Sequence, residues 1–343
     1  MQRPAKPFTP VRFRLQPPNI IMTILVTGGS GYIGSHIVLE LMDLGKDFLF
    51  LDNHSSGNWL PDAIKSKFIY SDLLNYDRLK EDLKDFEIES IIHLASKSIV
   101  EESMANPTLY HYHNITSSLN LIKFAVAKNV KSFVFSSTAS VYGLPKTVPI
   151  KETASLNPIN PYGVSKMIIE RSLEDIVKGS DLNVVCFRYF NVAGADSQSR
   201  SGESHDPETH LIPNIIKGAS KNSFKINIFG IDYPTKDGTC VRDYIHVSDL
   251  ATAHNLGLEW IEKNKGFHVF NLGGGEGYSI FDVIHSTEDA LNKKAIIQTS
   301  DRRPGDPAEL IADSTKAIET LGWKRKYNLR DMILHASTWM KTD

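Results

Sequence analysis

Tyr162 and Lys166 stand four residues apart in Tyr162-Gly163-Val164-Ser165-Lys166, which puts a phenol and an ammonium on one face if the segment is helical. A cation beside a phenol favours the phenolate. Moving a tyrosine from its ordinary ~10 to neutrality takes roughly 4 kcal/mol of differential stabilisation. Such a base could take a proton from a substrate hydroxyl while the same carbon is oxidised. Alone, this spacing more often marks an amphipathic helix face. Its weight comes from two other segments. Thr27-Gly28-Gly29-Ser30-Gly31-Tyr32-Ile33-Gly34 has glycines that allow a tight turn, close approach to a pyrophosphate and close helix–strand packing. The helix that follows offers its N-terminus to an anion. Asp52 comes 24 residues after Gly28, where a carboxylate accepts bonds from an adenosine ribose and repels a 2′-phosphate, favouring NAD over NADP. Finally, Phe135-Ser136-Ser137-Thr138-Ala139-Ser140-Val141-Tyr142-Gly143 ends an apolar run in hydroxyls that can bond a sugar oxygen or cap a turn.

These residues need a scaffold that gathers loops at one edge of a sheet. Ile24-Leu25-Val26, Phe48-Leu49-Phe50-Leu51, Phe68-Ile69-Tyr70, Ile91-Ile92-His93-Leu94, Phe133-Val134-Phe135 and Val184-Val185-Cys186-Phe187 read as short buried strands. Helical stretches such as Ile33 to Leu44, stopped by Gly45, and Leu119 to Ala127 lie between them. Nearly continuous apolar strands alternating with helices predict an α/β fold, a doubly wound parallel sheet of the Rossmann kind. The sheet domain is expected over 22–192. A smaller C-terminal α/β lobe is expected over 193–343, with a segment near 241–260 returning to the first domain.

Composition excludes several classes. Lys plus Arg number 38 and Asp plus Glu 40, a net charge of −2, so no overall field invites nucleic acid or an anionic membrane. No apolar run approaches the ~18 residues of a membrane span. Two cysteines, Cys186 and Cys240, lack metal-ligand spacing and form no disulfide framework. No metal is expected, and a reducing, cytoplasmic setting is. Residues 1–21 carry five prolines and four cations but no acid; they read as a disordered extension ahead of Met22.

More motifs extend the pattern: Leu51-Asp52-Asn53, Arg188-Tyr189-Phe190-Asn191, Arg302-Arg303-Pro304-Gly305-Asp306, and the long run Asp232-Tyr233-Pro234-Thr235-Lys236-Asp237-Gly238-Thr239-Cys240-Val241-Arg242-Asp243-Tyr244-Ile245-His246-Val247. With these the chain resembles the extended short-chain dehydrogenase/reductase family, in its NAD-dependent nucleotide-sugar epimerase branch, from about Met22 to Trp323 or beyond. The resemblance implies bound NAD and interconversion of UDP-glucose and UDP-galactose by oxidation at C4′, turning of the 4-keto sugar, and re-reduction. Tyr162 would take the 4′-hydroxyl proton, Lys166 would lower the tyrosine pKa, and Thr138 would bond the sugar hydroxyl. The cofactor would lie on Gly28, Gly31, Tyr32, Ile33, Gly34, Asp52 and Asn53, with Asp72 and Leu73 flanking adenine. Leu94, Ala95, Ser96, Asn114, Ser136, Tyr189 and Phe190 complete that implied set. Asn191, His210, Leu211, Asn227 and Phe229 would contact the nucleotide sugar, and Asp306 would bond the uridine ribose. Arg242 and Arg303 suit a diphosphate, although a surface ion pair is the commoner fate of an arginine.

Leu310 occupies the position whose size governs entry of N-acetylated sugars in that family, so some tolerance for UDP-N-acetylglucosamine is expected. The family also implies a homodimer through Leu109 to Asn129 and the helix after Pro161. Thr138 is followed by Ala139-Ser140 where sugar dehydratases carry an Asp-Glu pair, which argues against elimination. Epimerisation of a UDP-pentose or UDP-uronate, or a non-catalytic NAD-sensing role, stays open at this level.

Overall fold

The computed structural model describes residues 23–57, 59–205, 208–220, 225–303 and 306–342. The expected extension at 1–21, and Pro304 and Gly305 of the late motif, fall outside these residues. The first strands are β1 (Thr23–Thr27), β2 (Phe48–Asp52), β3 (Phe68–Tyr70), β4 (Ile88–His93), β5 (Ser132–Thr138) and β6 (Asn183–Tyr189). After them come β7 (Asn191–Ala193), β8 (Lys225–Phe229), β9 (Val241–His246) and β10 (Phe267–Leu272). The last are β11 (Gly277–Ser279), β12 (Ile296–Ser300) and β13 (Glu309–Leu310).

Seven strands form one sheet in the order β3-β2-β1-β4-β5-β6-β10, every pair parallel. β2 and β5 are buried along their whole length, as strands covered on both faces must be. One face packs Ile37, Val38 and Leu41 of the Tyr32–Asp43 helix together with Leu250, Ala251 and Leu258 of the Val247–Ile261 helix. The other packs Leu121, Ile122 and Phe124 of the Thr116–Ala127 helix with Ile169 and Leu173 of the Pro161–Gly179 helix. Strand order reverses between β1 and β4. That switch opens a crevice at the carboxyl ends of the strands, where ligands bind in open α/β sheets.

The chain crosses between lobes more than once. β7 and β9 pair in a smaller sheet, the Val247–Ile261 helix then packs on the large one, and β10 joins that sheet's edge beside β6. A separate core beneath the second lobe gathers Ile212, Ile215, Ile216, Val283, Ile284, Met332 and Ile333. One expected helix is interrupted. Between Pro107–Tyr110 and Thr116–Ala127 lies a single π-helical turn, His111–Ile115, an irregularity common at functional sites. Among the described residues, no helix is long and apolar enough to cross a membrane.

Candidate active site

The crevice begins at the turn after β1. Gly28 has φ +75°, and a Cβ there would lie 2.7 Å from the Ala95 backbone nitrogen. At Gly34 a Cβ would come within 2.0 Å of the Gly28 carbonyl oxygen. Only glycine fits either position. Gly31 precedes the Tyr32–Asp43 helix and provides no side-chain cap, so the first-turn N–H groups stay open to an anion. Asp52, ending β2, accepts from the Ser30 N–H at 3.1 Å and the His54 N–H at 2.8 Å, and burial raises its pKa above the usual carboxylate range. Asn53 donates to Asp72 at 3.1 Å, which joins the two residues placed on the adenosine side. Leu73 is buried in the core behind them. Leu94 and Ala95 both donate to the Thr27 carbonyl, at 3.0 and 3.1 Å, so the segment running on to Ser96 borders the glycine turn. Ile33 packs into the core, and the Tyr32 hydroxyl donates to the Gly194 carbonyl at 2.7 Å. Glycines that a Cβ would disrupt, an uncapped helix start and a carboxylate at the β2 terminus suit NAD.

Tyr162 and Lys166, the expected proton-handling pair, lie beside the end of β5. Asn160 caps the Pro161–Gly179 helix by accepting from the Gly163 N–H at 2.8 Å, and Pro161 starts it with a preset φ. Tyr162 therefore enters in the first turn, near enough to Thr138 at the end of β5 for that side chain to favour its phenolate. Lys166, one turn later and 1% exposed, donates to the Ser136 carbonyl at 2.7 Å, with its Nζ 5.9 Å from the Tyr162 ring centroid. Burial pushes Tyr162 up to about 12, which Thr138 only partly opposes. Burial likewise lowers Lys166 to about 7. Proximity to the lysine does not by itself give a low tyrosine pKa here, because desolvation of the phenolate outweighs it. Ser136 bonds the Tyr189 hydroxyl, below the same pair.

Asn114 is fully buried on the π-helical turn. It accepts from Lys97 N–H at 2.8 Å and donates to the Lys97 carbonyl at 3.0 Å and to Ser165 at 3.1 Å. Its amide thus ties the segment after β4 to the helix carrying Tyr162. Two residues escaped the sequence reading. His93 bridges Thr27 at 2.7 Å and Ser118 at 2.8 Å, and burial, with Lys166 nearby, lowers it to about 3, so it is neutral. Glu170 forms a buried ion pair with Arg188 at 2.6 Å and accepts from Ser137. Its position one turn beyond Lys166 was the available signal; Arg188 was visible only as a motif letter.

The second lobe faces this pair. Leu310 of β13 pairs in register with Arg242 of β9 and packs on the cluster of Ala139, Val141, Tyr142 and Phe190. Arg242 pairs with Asp306. Arg303 stacks on Phe229, 4.1 Å from the ring centroid, and Phe229 alternates with Asn227 on the face of β8 away from core residues Ile226 and Ile228. Arg242, Arg303 and Asp306 all act electrostatically on Cys240, so cations and acid share one neighbourhood. Asn191 is exposed on β7. His210 bonds Glu203 at 2.8 Å and Glu208 at 2.9 Å, and these carboxylates raise it to about 10 against the opposing effect of burial. Leu211 follows at the start of the next helix.

Residues 24–273 match the NAD dependent epimerase/dehydratase family. A UDP-glucose 4-epimerase from Lactobacillus helveticus is 44% identical over 322 residues, covering 94% of this chain and 98% of that protein. The Bifidobacterium longum UDP-glucose 4-epimerase, solved with NAD+ and UDP, superposes with a TM-score of 0.89 at 36% identity, covering 94% and 99% of the two chains. The UDP-Glc/GlcNAc 4-epimerase of Campylobacter jejuni gives a TM-score of 0.82 at 36% identity, covering 94% and 100%. With its glycine cradle, its Tyr162–Thr138–Lys166 group and a match over most of its length, the chain belongs to the NAD dependent epimerase/dehydratase family.

Proposed function

We propose that the protein interconverts UDP-glucose and UDP-galactose by inverting C4′, with Tyr162 as the group that removes and returns the 4′-hydroxyl proton. The observation carrying this reading is the grouping of Tyr162 with Thr138 and with buried Lys166, whose Nζ lies 5.9 Å from the Tyr162 ring centroid, at the edge of the sheet that also holds the glycine cradle. NAD, when bound, supplies the two-electron redox chemistry at C4′. Thr138 bonds the sugar hydroxyl and links it to the phenol. Lowering Tyr162 from about 12 to neutrality requires about 7 kcal/mol of differential stabilisation at ~1.36 per pKa unit. A charged Lys166 at close range contributes to that, strengthened by the low dielectric of the site. Asn114 and the Glu170–Arg188 pair hold this helix in place. Arg242 and Arg303 grip the diphosphate, leaving the sugar free to turn about that anchor. Conversion of UDP-galactose to UDP-glucose by the purified protein tests the reading, and no conversion at high enzyme concentration refutes it.

Three narrower statements accompany it. Leu310, packed beside Phe190 and Ala139, leaves more room than tyrosine would, which favours acceptance of UDP-N-acetylglucosamine; the same assay with that substrate decides. The protein is a homodimer through Leu109 to Asn129 and the helix after Pro161, which leave Tyr112, Leu119 and Ile168 exposed; light scattering at the monomer mass refutes it. It works in the cytoplasm, and fractionation of the cells that make it is the check.

A further inference from the structure

Among the described residues one group of metal-ligating side chains converges. Glu203, His205, Glu208 and His210 each present a donor atom, and all four atoms lie within 4.8 Å of one another. His205 and His210 aim their Nδ1 atoms at the same carboxylate oxygen of Glu203, at 2.7 and 2.8 Å. His210 Nδ1 is also 2.9 Å from Glu208 Oε1. Both carboxylates are nearly buried, with side-chain exposures of 5% for Glu203 and 4% for Glu208, and buried anions require a cation at hand.

We propose that Glu203, His205, Glu208 and His210 form a binding site for one divalent transition-metal ion of the zinc type. Two imidazoles and two carboxylates make a four-ligand N/O set, and the carboxylates neutralise a divalent charge. Zinc takes such ligands at about 2.0–2.2 Å in tetrahedral geometry, with the ligand atoms about 3.4 Å apart, so the donors now hydrogen-bonded to one another would open around the ion.

The place explains what an ion would do. Ser201, just upstream, bonds Ser35 of the Tyr32–Asp43 helix at 2.6 Å, and the Glu203 carbonyl accepts from Trp339 at 3.1 Å. Glu203 and Glu208 both act electrostatically on Tyr32 of the glycine cradle. His210 immediately precedes the Leu211–Ser220 helix, whose Asn214 N–H bonds its carbonyl at 3.2 Å. All four donors come from one short segment, so a bound ion would brace that segment, which these bonds tie to the Tyr32–Asp43 helix and to Trp339.

The test uses the full chain, stripped with a chelator and titrated with Zn2+ alone by calorimetry, with bound zinc counted by atomic emission. Wild type is expected to bind one ion per chain, and Zn2+ is expected to raise its melting temperature. His205→Ala, which removes one ligand, is expected to weaken binding about 100-fold or more and to lose the thermal shift. Glu208→Gln provides a second variant, read the same way, and circular dichroism without metal shows whether either variant folds. Two results overturn the proposal: wild type that binds no zinc at micromolar concentration, or folded variants that bind as wild type does.

Discussion

Lys166→Met replaces a buried ammonium by an apolar chain of similar length. Lys166 is held at about 7 against an ordinary 10.5, chiefly by desolvation, which corresponds to about 5 kcal/mol between its two protonation states. Below about pH 7 the lysine is charged in both folded and unfolded chains, and the whole penalty opposes folding. Between pH 7 and 10.5 the unfolded chain binds more protons, so stability rises with pH. Above that range both states are neutral and the penalty is gone. Methionine never incurs it, but loses the bond to the Ser136 carbonyl, worth about 1.5–3 kcal/mol for a charged donor. The variant should therefore be about 2–3 kcal/mol more stable than wild type at pH 6.5, and about equally stable at pH 9.5, where about 1 kcal/mol of penalty remains and the bond of a neutral amine is worth about as much. Its epimerase activity should fall by roughly 10²- to 10⁴-fold. Urea unfolding at the two pH values, with activity measured alongside, reads both quantities. A stability difference that does not change with pH refutes the reasoning.

Other perturbations reach different parts of the site. Gly34→Ala drives a methyl against the Gly28 carbonyl, 2.0 Å away, and should lose bound NAD; nucleotide released on acid precipitation is the readout. Glu170→Gln leaves Arg188 buried without its partner at 2.6 Å and should cost about 3–5 kcal/mol, seen as a lower urea midpoint. Leu310→Tyr should reduce turnover of UDP-N-acetylglucosamine more than that of UDP-galactose, by roughly tenfold or more, measured as a ratio of kcat/KM values.

Much of the fold was legible because its strands are short, apolar runs separated by helices. Val26, Phe50, Ile92, Val134 and Val185 all lie in the sheet core. The glycine turn was legible because backbone sterics at Gly28 and Gly34 admit no other residue. Less local features were hidden. The π-helical turn at His111–Ile115 coincides with Asn114 bonding Lys97, 17 residues back, which no helical periodicity announces. β10 joins the large sheet through pairing with β6, a contact across more than 80 residues. Register alone brings Leu310 beside Arg242. The tyrosine pKa is only half legible: charges can be counted in a sequence, but the desolvation that carries Tyr162 to about 12 depends on the packing around it. The bonds of His210 to Glu203 and Glu208 were hidden too, since no sequence spacing announces them.

The central claim is that Tyr162 drives an oxidation and re-reduction at one sugar carbon. UDP-galactose carrying deuterium at C4′, incubated with the protein in ordinary water, tests it most directly by mass spectrometry of the UDP-glucose formed. Deuterium should remain at C4′ of the product, and Tyr162→Phe should slow its formation by at least about 100-fold. Loss of deuterium to solvent, or equal rates from the two proteins, contradicts the account.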